Sequence, residues 1–151
     1  MRVEHSGTID RPPGRGFGYV SAPNNDPTWV PASRRHEKLS PEPMPAGSIT
    51  GEDVVFLGRQ MRYAWEVTRD DPPTAFALRT ISGPLPATIH LLLEPLDGGT
   101  TRLTLAADMN LRGVYKLVGP LVRRVANRQF GTQLCRLKKL LENEARENAV
   151  S

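Results

Sequence analysis

The sequence has few of the residues that build covalent or metal-bound scaffolds. Among its 151 residues there is one cysteine, Cys135, and there are three histidines. A single cysteine excludes an internal disulfide and a multi-cysteine zinc cluster, and it favours a reducing, intracellular compartment. His5, His36 and His90 are scattered along the chain, with no two at ligand spacing. We therefore predict no bound metal ion and no cofactor.

Long apolar segments are also missing. The run from Ile89 to Leu93 is interrupted by His90, and it falls far short of the ~20 apolar residues that a membrane helix needs. The first residues lack the basic, apolar and small-residue pattern of a secretory signal. We expect no membrane span and a cytoplasmic location.

The chain carries a small excess of positive charge, and many of its basic residues lie near the C-terminus. The chain has 20 Lys and Arg against 16 Asp and Glu, a formal net charge of +4. Basic residues from Arg112 to Arg146 are interleaved with apolar residues at helical spacing, which is typical of a solvated helix face. No stacking-aromatic motif accompanies them. Nucleic acid is therefore not a predicted partner, and docking through this basic face remains an alternative.

Alternating apolar and polar residues predict strands. Met61, Tyr63, Trp65 and Val67 alternate with polar or small residues, a period of two. Similar segments cover 74–81, 87–93 and 102–109, and short turns such as the one at 97–99 join them. With candidate strands at 2–9, 34–39 and 48–57, we predict an antiparallel sheet of about six or seven strands. Two short helices, at about 12–20 and around Trp29, follow the first strand.

After Asn110 the period changes to that of a helix. One apolar stripe runs from about residue 112 to 145 and predicts a long amphipathic helix. The dipeptide Gly119-Pro120 should kink it or separate a first segment. Cys135 is expected to be a buried, inert thiol. The stripe consists of Val118, Val122, Ala126, Phe130, Leu134, Leu137 and Leu141.

Several motifs carry a family resemblance across residues 3–142. They are Ile9 to Pro13, Phe17 to Ser21, Asn25 to Pro31, Phe56 to Met61, Glu94 to Leu103, and Gly119-Pro120 with Arg128 to Phe130. In order and spacing the chain resembles the polyketide cyclase/dehydrase branch of the SRPBCC superfamily, which includes START domains and birch-pollen-allergen-like proteins. The resemblance implies an α+β helix-grip fold, in which a curved antiparallel sheet wraps around a long C-terminal helix and leaves a deep cavity. We expect one domain over residues 1–151, with its core at about 3–145 and a frayed C-terminal tail.

The predicted ligand-binding site is formed by the inward-facing side chains of the strands and by the apolar stripe of the helix. The tyrosine hydroxyls and the Trp65 indole would give an otherwise apolar cavity a few polar handles. The predicted ligand contacts are Trp29, Tyr63, Trp65, Phe76, Ile89, Leu91, Leu105, Tyr115, Val118 and Val122. The predicted function is binding of a small hydrophobic molecule, such as a lipid, a polyketide or another apolar metabolite, by a monomer or homodimer.

An enzyme is the alternative: a cyclase, aromatase or dehydratase that uses general acid–base chemistry without a metal. The motifs in the resemblance are structural and supply no catalytic residue. Asp53 and Tyr63 are the candidates for that role. The strand at 48–57 has apolar residues in both phases, so Asp53 enters the cavity if the odd phase faces inward and is exposed if it does not.

Overall fold

The computed structural model describes residues 1–39 and 46–150, with side chains up to residue 147. A sheet of seven strands is combined with two short helices after the first strand and with C-terminal helices. The elements in chain order are β1 (Arg2–Ile9), α1 (Pro13–Val20), a 3₁₀ turn (Pro23–Asn25), α2 (Asp26–Trp29), β2 (Ser33–Lys38), β3 (Ile49–Phe56), β4 (Arg59–Asp71), β5 (Ala75–Ser82), β6 (Ala87–Leu96), β7 (Thr100–Met109), α3 (Val114–Leu117) and α4 (Gly119–Val150).

The sheet is an antiparallel meander from β2 to β7, to which β1 adds at the β7 edge. Its order is β1-β7-β6-β5-β4-β3-β2, and β1 pairs with β7 in a register that sets Val3 opposite Ala107. Register shifts in β4 at Ala64/Trp65 and Val67/Arg69 interrupt the ladder with β5. Bulges of this kind bend and twist a strand, which curves the sheet around the helix. The predicted helix-grip fold is confirmed.

The core lies between the concave face of the sheet and α4. Leu103 in β7 and Leu137 and Leu141 in α4 are completely buried. The helix α1 packs here as well, because the Phe17 ring meets the Phe76 ring edge-to-face with centroids 6.0 Å apart. Despite three glycines, α1 is a regular helix from Pro13 to Val20.

The break predicted at Gly119-Pro120 is present. Val118 separates α3 from α4, and α4 then continues to Val150, beyond the predicted end at about 145. Val122, Ala126, Leu137 and Leu141 of the predicted stripe are buried, and Phe130 and Leu134 pack against the core. Cys135 is exposed, so the prediction of a buried thiol was wrong. It lies two residues before Leu137, and a step of two residues turns a helix to its opposite face.

None of the helices within residues 1–39 and 46–150 is long and apolar enough to cross a membrane.

Candidate functional site

A cavity of about 170 Å³ lies between the concave face of the sheet and the helices α2 and α4. The strands contribute Leu78, Ile89 and Ala107, while the helices contribute Trp29 and Phe130. These side chains point into the cavity because successive side chains of a strand point to opposite faces of the sheet, and because the apolar stripe of α4 faces the sheet. The lining is therefore largely apolar. An engineered apolar cavity of roughly 150 Å³ holds benzene, so the space suits a compact guest.

Six of the ten predicted ligand contacts line this cavity. Their positions follow from the strand alternation that predicted them and, for Trp29, from the short helix α2. The six are Trp29, Tyr63, Trp65, Ile89, Leu91 and Leu105.

The other four predicted contacts lie outside the cavity lining. Phe76 is buried against Phe17 in the core. Tyr115 and Val122 belong to a second apolar cluster, and Val118 packs against that cluster. The part of α4 that lines the cavity is further along the helix, at Ala126, Phe130 and Gln133.

Asp53 lies on the outer face of the sheet. Its carboxylate accepts a hydrogen bond from the Arg62 guanidinium at 2.9 Å, and both side chains are about half exposed. The even phase of β3 faces inward instead, with Thr50, Glu52 and Val54 buried. Of the two phases that the sequence left open, the even one faces inward, so Asp53 lies outside the cavity and Glu52 lines it.

The hydroxyl of Tyr63 forms hydrogen bonds within the fold. Its hydroxyl accepts a hydrogen bond from the backbone N–H of Leu85 at 3.1 Å and donates to the Met61 sulfur at 3.9 Å. The ring stacks on Trp65, with centroids 5.6 Å apart. Burial raises the pKa of the Tyr63 hydroxyl. The hydrogen bond from the backbone N–H fixes the position of the buried Tyr63 ring. Tyr63 therefore forms a fixed part of the cavity wall.

The polar end of the cavity is a cluster that the sequence did not predict: Asp26, His36 and Glu52. The Asp26 carboxylate lies 2.6 Å from Nδ1 of His36, and a Glu52 oxygen lies 3.5 Å from the same nitrogen. Nε2 of His36 is 2.7 Å from the Thr50 hydroxyl. All three cluster residues line the cavity. Three ionisable side chains therefore lie together in the wall of a largely apolar cavity.

The cluster is assembled by local structure. Asp26 is the first residue of α2. His36 in β2 and Glu52 in β3 are directly opposite each other in the antiparallel register, where side chains on the same face come within contact distance. The other oxygen of Glu52 accepts a hydrogen bond from the Trp65 indole N–H at 3.0 Å. Each member therefore has a fixed orientation.

Burial controls the protonation of the cluster. Burial raises the pKa of the Asp26 carboxyl and that of the Glu52 carboxyl, because charge is costly in an apolar environment. Burial also opposes charge on His36, but the hydrogen bond with Asp26 and the charge of Glu52 outweigh it, so the pKa of His36 is raised. The raised pKa values mean that all three groups hold a proton more readily than they would in water.

Two buried polar atoms beside the cluster have no hydrogen-bond partner among the described residues: the Ser33 hydroxyl and the Trp29 indole N–H. Ser33 lies close enough to Glu52 to lower the pKa of that carboxyl, as Trp29 does for Asp26, although burial dominates both. Buried polar groups are normally satisfied in native proteins. Of the two residues, Trp29 lines the cavity and Ser33 does not.

Some basic residues of α4 contribute to the fold itself. Lys138 donates to the backbone carbonyl of Thr8 at 3.1 Å and forms an ion pair with Glu142. Arg123 donates to the carbonyl of Arg2 at 3.2 Å. These contacts attach α4 to β1, so part of the basic surface serves intramolecular packing.

A curved antiparallel sheet that grips one long helix around an apolar cavity defines a helix-grip protein of the SRPBCC superfamily. The family model described as "Polyketide cyclase / dehydrase and lipid transport" matches residues 1–142, and the chain belongs to that family. No curated protein sequence matches the chain.

Solved structures share this fold at low sequence identity. The Zhui aromatase/cyclase from Streptomyces sp. R1128 is 16% identical with a TM-score of 0.79, over 96% of this chain and 95% of that one. A START superfamily protein from Mycobacterium smegmatis is 16% identical with a TM-score of 0.78, over 94% and 97%. The protein TTHA0849 from Thermus thermophilus is 18% identical with a TM-score of 0.79, over 92% and 95%. At these identities the similarity shows the fold alone.

Proposed function

We propose that this protein binds a compact, mainly apolar molecule, about the size of one aromatic ring with a polar substituent, in the cavity between sheet and α4. The observation that carries the proposal is the cavity itself: about 170 Å³, walled by apolar side chains and closed at one end by the Asp26–His36–Glu52 cluster. The family description includes lipid transport, but a long acyl chain or a polycyclic polyketide would not fit wholly inside this volume.

The polar substituent follows from the energetics. Burial of roughly 300 Å² of apolar ligand surface contributes about 7.5 kcal/mol at ~25 cal/mol per Å². Loss of translational and rotational freedom costs at least about 4 kcal/mol, which leaves affinity near the millimolar range. Hydrogen bonds to the polar end would raise the affinity. The side chains of Asp26, His36 and Glu52 line the cavity and could make such hydrogen bonds.

The two tryptophans of the chain provide the test. Trp29 and Trp65 are the only two, and both line the cavity. Their two indole N–H signals in a ¹H–¹⁵N NMR spectrum should shift saturably with one-ring phenols such as p-cresol. Toluene should bind at least tenfold more weakly, and three-ring aromatics should bind worse than one-ring ones. If both signals stay fixed with the whole panel at millimolar concentration, the proposal fails.

A cyclase or dehydratase is the second candidate, favoured by the carboxyl of Glu52 inside the cavity. A buried carboxyl with a raised pKa is suited to donate a proton to a leaving hydroxyl. Incubation with small β-hydroxy carbonyl compounds should then yield a product lighter by one water in mass spectrometry. Glu52→Gln should remove that activity while the Trp65 hydrogen bond keeps its acceptor. Product formation distinguishes this function from binding alone.

A further inference from the structure

The donor atoms of the polar cluster are arranged as metal ligands are. One ligand atom from each of Asp26, His36 and Glu52 lies within 4.8 Å of the other two. Ligand bonds of ~2.0–2.2 Å in a tetrahedral zinc site put donor atoms about 3.3–3.6 Å apart. The measured separations from Nδ1 of His36 are 2.6 Å to Asp26 and 3.5 Å to Glu52. The Glu52 distance already matches this spacing, and the Asp26 distance would have to lengthen by about 0.7 Å or more.

We propose that Asp26, His36 and Glu52 form a binding site for one divalent transition-metal ion, for which Zn²⁺ is the first candidate. This reverses the prediction of no metal that the spacing of the histidines suggested. The proposal goes beyond ligand binding and beyond acid–base catalysis, and its test uses no organic ligand.

The surroundings of the cluster match those of metal ligands. A coordinating histidine typically donates its other ring N–H to a fixed acceptor. Nε2 of His36 lies 2.7 Å from the Thr50 hydroxyl, which could accept from it. In the tautomer that metal binding requires, the lone pair of Nδ1 faces the carboxylates, and the metal would replace the hydrogen bond between Nδ1 and Asp26. The Trp65 indole holds one oxygen of Glu52 at 3.0 Å, which leaves the second oxygen for the metal.

Charge balance points the same way. Two carboxylates with a neutral imidazole carry a charge of −2, which is costly in a site as buried as this one. The side chains of His36, Glu52 and Asp26 are 2%, 8% and 14% exposed. A divalent ion neutralises that charge without protons. Imidazole and carboxylate donors together suit Zn²⁺ and neighbouring transition metals better than Ca²⁺.

A second observation is the Ser33 hydroxyl, which is 2% exposed and lies beside Glu52. It approaches that carboxyl closely enough to lower its pKa but makes no well-aligned hydrogen bond within the described part of the chain. A three-ligand site keeps a further position for water or a ligand oxygen. Because all three ligands line the cavity, the open position would face its interior.

The experiment is isothermal titration of untagged, chelator-treated full-length protein with ZnCl₂. One equivalent should bind per chain with micromolar affinity, and Co²⁺ should give visible absorption bands of a low-coordinate site. His36→Ala and Glu52→Gln should each weaken binding at least about 100-fold, and Thr50→Val, which removes the acceptor at Nε2, about 10–100-fold. Glu52→Gln is nearly isosteric, so it tests the site even if His36→Ala does not fold.

The chain offers a matched control. His5 and His90 are its other histidines, with partners Asn127 and Asp108 at the surface. The double variant His5→Ala/His90→Ala should bind one equivalent with unchanged affinity. The proposal is overturned if the wild type takes up no stoichiometric metal, if Glu52→Gln binds as the wild type does, or if the double variant loses binding. Binding of p-cresol by the chelated protein would still report on the proposed function separately.

Discussion

The backbone N–H of Leu85 donates its hydrogen bond to the side-chain hydroxyl of Tyr63, 3.1 Å away, and not to another strand. Leu85 lies just before β6 and is 5% exposed, so water cannot readily replace that acceptor. Tyr63 therefore connects the inner face of β4 to the segment that leads into β6. Its hydroxyl stabilises the wall of the cavity whatever the cavity binds.

Tyr63→Phe should destabilise the protein by about 1–3 kcal/mol, because it leaves a buried N–H without an acceptor. Tyr115→Phe is the matched control: its hydroxyl is buried and unpartnered among the described residues, so its removal should be neutral or stabilising. Urea unfolding of the three proteins measures both effects. Equal stability of Tyr63→Phe and wild type would show that the Leu85 hydrogen bond contributes little.

Gly83→Ala should be strongly destabilising. Gly83 has φ +140°, and a Cβ at this position would lie 2.2 Å from Cδ1 of Tyr63. Both the backbone conformation and the ring oppose a side chain, so we expect a loss of at least about 2 kcal/mol. Gly98→Ala, with φ +76° but no atom within 4 Å of the added Cβ, isolates the backbone contribution and should cost about 1 kcal/mol. Thermal unfolding should rank the variants in this order, and a reversed order would contradict the close packing of Tyr63.

Ala107→Leu should block the cavity. Ala107 is 1% exposed and lines the space from β7, so added carbons would occupy volume that the guest needs. We expect affinity for p-cresol to fall at least tenfold, with stability changed by no more than about 1–3 kcal/mol. The control Ala64→Leu alters a half-buried position in the outward phase of β4 and should bind normally. Unchanged binding by Ala107→Leu would place the ligand elsewhere.

Glu142 gives a pH dependence. Its carboxylate accepts hydrogen bonds from Lys138 at 2.6 Å and from the backbone N–H of Asp10 at 2.9 Å, and these lower its pKa below the ordinary 4.5. A pKa lowered by folding contributes stability that is present above the unfolded value and is lost as the pH falls through the folded value.

Glu142→Gln should therefore reduce stability at pH 7, and the difference from wild type should shrink from about pH 5 downward. Glu147→Gln, an exposed change on the same helix, should follow the wild-type pH profile. Melting temperatures across the pH series measure this. A constant difference between Glu142→Gln and wild type at every pH would contradict the assignment.

The fold was predictable where one pattern dominated. The alternation from Met61 to Val67 and the stripe from Val122 to Leu141 each have a single apolar face, and that face is buried in the structure. The position of the chain break at Gly119-Pro120 was predictable because proline cannot continue the preceding helix. These features depend on local sequence and needed no knowledge of tertiary contacts.

The polar end of the site was not predictable in the same way. The segment Ser33–Lys38 is entirely polar, so hydrophobic patterning gave no sign that His36 would be buried. Val54 and Val55 make both phases of β3 apolar, and the choice of Glu52 over Asp53 depends on what packs above the strand. Asp26 comes close to His36 because α2 packs against β2, a tertiary contact that local sequence patterns do not reveal. The direct pairing of β2 with β3 was the one available signal, because it makes His36 and Glu52 neighbours.

The pairing of β1 with β7 has a consequence for how the chain acquires its structure. Val3 and Ala107 are adjacent in the sheet but more than a hundred residues apart in sequence, so β1 can enter the sheet only after β7 has been synthesised. Until then the apolar residues Val3 and Ile9 remain without their final neighbours. Long-range pairing of this kind slows folding, and an unpaired strand edge in a growing chain favours aggregation. Rapid overexpression should therefore reduce the yield of soluble protein more than slow expression at low temperature.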